Sequence, residues 1–338
     1  MTRTEGKVPR VELLGPSALV GGTMLTALAV YVDAWWHVTF GRDTFWIPPH
    51  IAIYSGVSIS IAGFLLIWRS QKTIPGELRI YLGGLVGVVV AGYGDQLWHQ
   101  KFGVERIGTL ASIWSPTHVA ALVAGSVTAT GVILYLRSMM KTTGGRAPGW
   151  LLAGEFAALV SILTLVLLPL GPETPFRVVG IAGAPLVAFV VLYLRFTGAV
   201  LSMRPGALSM ITAFNWTGNI VILSTYASNK LVTLLLVAGI SPAVLADMIL
   251  YRSDRFRNKR GGYALAGLSW GLIFGSVFYP LTNGLLSSPL DTASLLVIAF
   301  GSSIAGLASG VLAWSHWGPL SSLADPAYVR VKQVILGP

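Results

Sequence analysis

The chain has no cysteine, only five histidines and a charged fraction of 11% across its 338 residues. The absence of thiols excludes disulfides, iron–sulfur clusters, thiolate metal sites and haem attached through C-x-x-C-H. The shortage of charge excludes an ordinary soluble domain, where about a quarter of the residues are charged. Apolar side chains take its place: 54% of residues are hydrophobic, and mean hydropathy is +0.72. They come in runs of roughly 18–22 residues, long enough to cross a hydrocarbon core of about 30 Å. The sequence therefore predicts an all-α fold, a polytopic transmembrane helical bundle whose solvent is the lipid bilayer.

Ten spans are predicted, near 15–37, 50–68, 80–99, 118–137, 150–169, 177–196, 206–226, 231–251, 262–280 and 291–314. Polar and Gly/Pro-rich stretches such as RSQKTIPGELR and KTTGGRAPG separate most of them. The opening MTRTEGKVPR is basic but leads into no small-residue cleavage site, so the first run is read as a retained span. Only five of the 23 Lys and Arg fall in the loops assigned to the outside: Arg42, Lys101, Arg106, Arg177 and Lys230. That bias places both termini in the cytoplasm of a cell-membrane protein. It also accounts for the net charge of +10 without nucleic acid. The cluster Arg252, Arg255, Arg257, Lys259 and Arg260 reads as an inner anchor beside anionic lipid. The expected organisation is a cytoplasmic tail over 1–14, a two-hairpin half over 15–137, a six-helix half over 138–314 and a cytoplasmic tail over 315–338.

Against this apolar background one polar pattern occurs twice. DAWWHVTFGRDTFWIPPH runs from Asp33 to His50, and DQLWHQKFGVERIGTLASIWSPTH runs from Asp95 to His118. Both begin D-x-x-W-H-x-x-F-G-x-acid and both end W-x-P-x-H. The pairs are Asp33/Asp95, Trp36/Trp98, His37/His99, Phe40/Phe102, Gly41/Gly103, Asp43/Glu105, Trp46/Trp114, Pro48/Pro116 and His50/His118. The second loop is longer, but the register on either side of it is kept. The first four helices therefore read as a duplicated hairpin, an internal repeat.

Helix geometry gives the pattern chemical content. Asp33 and His37 are four residues apart and share one face, as do Asp95 and His99. Gly41 and Gly103 end their helices, and the hairpins can return His50 and His118 beside these pairs. One carboxylate and two imidazoles suit non-haem iron, and Cu(II) and Zn(II) accept the same N/O donors. Asp43 and Glu105 are outer ligands, groups that orient a histidine, or ion-pair partners of Arg42 and Arg106. Simpler readings cover part of the pattern. The tryptophans suit an interface belt, the Gly and Pro residues suit turns, and one Asp–His pair alone suits a structural hydrogen bond. A third histidine in register in both copies favours metal ligation.

D-x3-H-x12-H, as written by Asp33, His37 and His50, resembles the ligand motif of the C subunit of copper membrane monooxygenases, the particulate methane and ammonia monooxygenases. The similarity covers roughly residues 15–137. It implies a copper site at Asp33, His37 and His50, with Asp95, His99 and His118 as a second site or part of the first. The second copy departs from the family in having Asp95 where Asn is usual and a longer final gap. The resemblance implies an oxidoreductase acting with O2 on a small apolar substrate near the outer face. It further implies an electron donor and other membrane subunits.

The remaining helices carry few ionisable groups. Glu155 lies within LLAGEFAALVSILTLVLL and is expected to be protonated, paired across helices or close to the inner interface. Asp247 is expected to pair with Arg252 or another inner base, and His316 to sit at the inner interface. The main alternative function is a transporter or a proton- or metal-ion-conducting protein. A b-type haem protein, a zinc-dependent membrane hydrolase and a structural subunit with a stabilising metal are further readings.

Overall fold

The computed structural model describes residues 10–41, 44–103, 115–143, 146–167, 177–226, 228–252, 259–283 and 289–322. They form eleven α-helices: α1 Arg10–Phe40, α2 Pro48–Gln71, α3 Gly76–Phe102, α4 Pro116–Thr143, α5 Arg146–Leu167, α6 Arg177–Ser202, α7 Ala207–Tyr226, α8 Asn229–Arg252, α9 Arg260–Ile273, α10 Tyr279–Asn283 and α11 Thr292–Ser322. A π-helical turn, Phe274–Phe278, joins α9 to α10. No strand occurs among the described residues. Ten helices are long and apolar enough to cross a membrane, one at each of the ten predicted spans. In the ninth, the π-turn extends α9 to the required length. The chain is read accordingly as an integral membrane protein.

The backbone divides into two compact units. The first comprises residues 1–166 and 214–227, and the second residues 167–213 and 228–338. The first four helices thus share a unit with α5 and the later part of α7.

In the first unit α1 packs along α2 and α3 along α4. Lipid is as apolar as a leucine side chain, so close packing rather than water exclusion holds such pairs together, and small residues line their seams. A Cβ on Gly22 would strike the backbone of Gly56 and Ser60. On Gly84, the residue in register with Gly22, it would strike Ala124 and Thr128, which correspond to Gly56 and Ser60. Gly63 meets the backbone of Gly15 and Leu19, and its counterpart Gly131 meets Tyr81, the counterpart of Leu19. Matched positions therefore make matched contacts well below the polar motif. The opposite faces are apolar and exposed, as at Val86, Val89 and Val90 of α3.

In the second unit α11 packs against α6 and α9, and α8 against α9. Gly267, Gly271, Gly306 and Gly310 bring the α9 and α11 backbones together. Leu192, Phe196, Tyr263 and Trp270 fill the core beside them. Asp247 accepts hydrogen bonds from the Ser209 backbone N–H at 2.8 Å and the Ser209 hydroxyl at 2.5 Å. Ser209 lies in the first turn of α7, where N–H groups have no partner within the helix, and a carboxylate is favoured there. The helix end therefore takes the acid. The Arg252 side chain lies outside the described residues. His316 bonds with the Tyr193 hydroxyl at 3.0 Å, which also accepts from the Trp317 indole.

Candidate metal centre

Each hairpin is shaped so that three polar side chains meet at its closed end. Helix α1 stops at Phe40, and Gly41 follows with φ of 61°. Ile47 is the N-cap of α2, with proline at its first helical positions. Pro lacks the N–H that would be unsatisfied there, and His50 follows in the first turn. Helix α3 stops at Phe102, and Gly103 at φ 80° donates its N–H to the His99 carbonyl at 3.0 Å. Ser115 begins α4 by accepting from the His118 N–H at 3.1 Å, a serine cap followed by Pro116.

The outcome is two similar clusters. Asp33 Oδ2 is 3.5 Å from His37 Nε2, and Asp33 Oδ1 is 3.2 Å from His50 Nε2. Asp95 Oδ2 is 3.2 Å from His99 Nε2, and Asp95 Oδ1 is 3.3 Å from His118 Nε2. Each carboxylate is thus held between two imidazoles, one from its own helix and one from the returning helix. The aromatic contacts match as well, with Trp36 to Phe40 at 4.6 Å and Trp98 to Phe102 at 4.4 Å between ring centroids.

The two clusters also meet each other. The His37 ring is stacked on His99 at 6.2 Å, and it lies 6.2 Å from both His50 and His118. His99 and His118 are 5.8 Å apart. Four imidazoles and two carboxylates from four helices therefore form one centre, with His37 at its middle. Asp33 and His37 are buried, and the other four side chains are partly buried.

The donors fit a metal by chemistry and by what they lack. In each triplet one ligand atom per residue lies within 4.8 Å of the others. Bonds of 2.0–2.2 Å require separations no greater than about 4.4 Å, so a slight inward rotation of the side chains suffices. His37 Nδ1 is buried without a hydrogen-bond partner among the described residues, and the contacts of Asp33 Oδ1 with His50 at 3.2 Å and of His37 Nε2 with Asp33 at 3.5 Å lack hydrogen-bond geometry. Leaving such groups unmet costs roughly 1–3 kcal/mol each. A cation at the cluster would satisfy Asp33 Oδ1 and one nitrogen of His37.

Some supporting residues were not read from the spacing. The Thr117 hydroxyl donates to Asp95 Oδ1 at 2.5 Å and shares a 2.9 Å bond with the Ser115 hydroxyl. The Gly103 carbonyl is 3.4 Å from His99 Nδ1. A proton on that nitrogen leaves Nε2 free to act as a ligand, the usual orientation of a metal-bound histidine. In the first hairpin Pro49 occupies the position of Thr117 and has no hydroxyl. The S-P-T sequence was a detectable signal, since Ser before Pro starts a helix and Thr is two residues on. Asp43, Glu105 and Trp114 lie outside the described residues.

Comparison of the chain with protein-family models, with curated proteins and with solved structures finds no match.

Proposed function

We propose that this chain is a membrane metalloprotein, a copper-dependent oxidoreductase of the monooxygenase type or the metal-bearing subunit of one. The observation that carries the reading is the convergence of Asp33, His37, His50, Asp95, His99 and His118 at one end of the first unit, with His37 touching both triplets. The reading places a paired centre there, one metal ion at each triplet. Imidazole and carboxylate donors without thiolate suit Cu(II), and iron or zinc would accept the same set. The motif shared with copper membrane monooxygenases favours copper.

Bound copper would supply the one-electron redox chemistry and the activation of O2, and the chain supplies the rest. Asp33 and Asp95 each fix two imidazoles and balance cationic charge. The Gly103 carbonyl and the Thr117 hydroxyl hold His99 and Asp95 in a ligating orientation. Trp36, Phe40, Trp98 and Phe102 provide apolar surface beside the donors, suited to a small apolar substrate. With Lys and Arg biased to the opposite side, the centre faces outward, and electrons come from a donor or companion subunit.

Metal content of the purified, detergent-solubilised protein tests the reading. Wild type should retain copper at up to two ions per chain. Because His37 borders both triplets, His37→Ala should lower both occupancies, whereas His99→Ala should spare part of the first. A wild-type protein that retains no copper, iron or zinc after reconstitution overturns the metal reading. Retention of iron or zinc alone overturns copper.

A further inference from the structure

Glu155, on α5, is completely buried, and its only hydrogen bond among the described residues is with Thr23 of α1. Its second oxygen, Oε1, has no hydrogen-bond partner there. No described basic side chain faces it. Tyr81 of α3 is the titratable group within electrostatic reach, and its hydroxyl shares a 2.8 Å bond with Ser60 of α2.

Counting protons favours a neutral acid here. Thr23 Oγ1 lies 2.8 Å from the Val20 carbonyl and 2.5 Å from Glu155 Oε2. A hydroxyl has one proton to donate, and a carbonyl can only accept. Both contacts are hydrogen bonds when Oε2 carries a proton and donates it to Thr23, which in turn donates to Val20. A neutral acid also avoids the cost of an unpaired charge at membrane depth.

The surroundings suggest a use for that proton. Thr23 and His37 are fourteen residues apart on α1, about 21 Å of rise and within about 40° of the same face. A second polar cluster lies between these levels. The Asn215 amide of α7 donates to the Tyr31 hydroxyl at 3.2 Å and reaches the Ser161 and Thr164 hydroxyls at 3.4 Å. The Tyr31 hydroxyl donates to the Ser161 carbonyl at 2.9 Å. Ser161 is six residues beyond Glu155 on α5, about 9 Å, a gap that a proton would cross through intervening water.

We propose that Glu155 is a proton-carrying group whose proton exchanges through the Ser161–Tyr31–Asn215 cluster toward the histidine centre. Its use there rests on the metalloenzyme reading: inserting one atom of O2 into a C–H bond and releasing the other as water consumes two electrons and two protons. The electrons come from the external donor, and Glu155 would supply a proton and be reprotonated afterwards.

Infrared spectroscopy of the full-length protein in detergent, with no metal added, tests this directly. Wild type at neutral pH should show a protonated-carboxyl C=O band that Glu155→Gln removes and D2O shifts. Asn215→Leu and the milder Ser161→Ala should keep the band but slow its D2O shift about tenfold, the expected effect of one lost hydrogen bond on a transfer barrier. Absence of a band assignable to Glu155 overturns the proposal. So does a deuteration rate unchanged in both cluster variants. Metal content is measured separately, and Glu155→Gln should match wild type because Glu155 is not a ligand. A band with cluster-dependent exchange in a protein that never binds metal supports the proton route and overturns only the metal reading.

Discussion

At the scale of single residues the two triplets differ in support. Asp95 is held by Thr117 as well as by two histidines, whereas proline occupies the corresponding position beside Asp33. A hydroxyl bonded to a ligating carboxylate orients its remaining lone pairs, and loss of such a partner typically weakens metal binding by roughly 10–100-fold. Thr117→Val keeps the shape and removes the donor. We expect it to weaken binding at the Asp95 triplet by about tenfold and to leave the Asp33 triplet unchanged. A copper titration against a competing chelator reads both affinities. Equal weakening at both would show that Thr117 acts through the hairpin as a whole.

At the scale of helices and their pairs, the packing seams decide whether the triplets can form. His50 reaches Asp33 only if α2 returns close along α1, and that closeness depends on Gly15, Gly22, Gly56 and Gly63. Gly63→Leu drives a side chain into the backbone of α1 and should destabilise the folded protein by at least about 2 kcal/mol. Gly21→Leu, on the same hairpin, meets open space and should be tolerated. Thermal unfolding in detergent compares the two. A Gly63 variant as stable as the Gly21 variant would mean the seam can open without penalty. The same scale separates what the sequence made legible from what it did not. Apolar runs marked all ten membrane-length helices, and the register of Asp33, His37 and His50 was readable because each step is local to one hairpin. The stacking of His37 on His99 was not readable, since it depends on how the two hairpins pack, with α1 against α4. No spacing within either motif encodes that contact. The hydrogen bonds that Asp247 accepts were unreadable for a related reason. Proximity in sequence favoured a neighbouring base, while the first turn of α7, nearly forty residues earlier in the chain, offered unpaired N–H donors.

At the scale of the whole molecule the open question is which way the histidine end faces. The C-terminal ends of α1 and α3 and the N-terminal ends of α2 and α4 carry all six donors, so the orientation of α2 fixes the side on which they lie. The bias of Lys and Arg toward the opposite ends predicts that the donors lie on the outer side. A chain with no cysteine permits a direct check, because any introduced thiol is the only one present. Thr44 and Thr73 are both exposed and flank α2, whose 24 residues rise about 36 Å. Thr44→Cys should react with a membrane-impermeant maleimide on intact cells, and Thr73→Cys only after permeabilisation. The reverse pattern would turn the six donors to the cytoplasm, and the proposed function would then require an intracellular electron donor and metal source. Labelling of both on intact cells would mean that α2 does not cross the bilayer, and would overturn the membrane-spanning reading of the first hairpin.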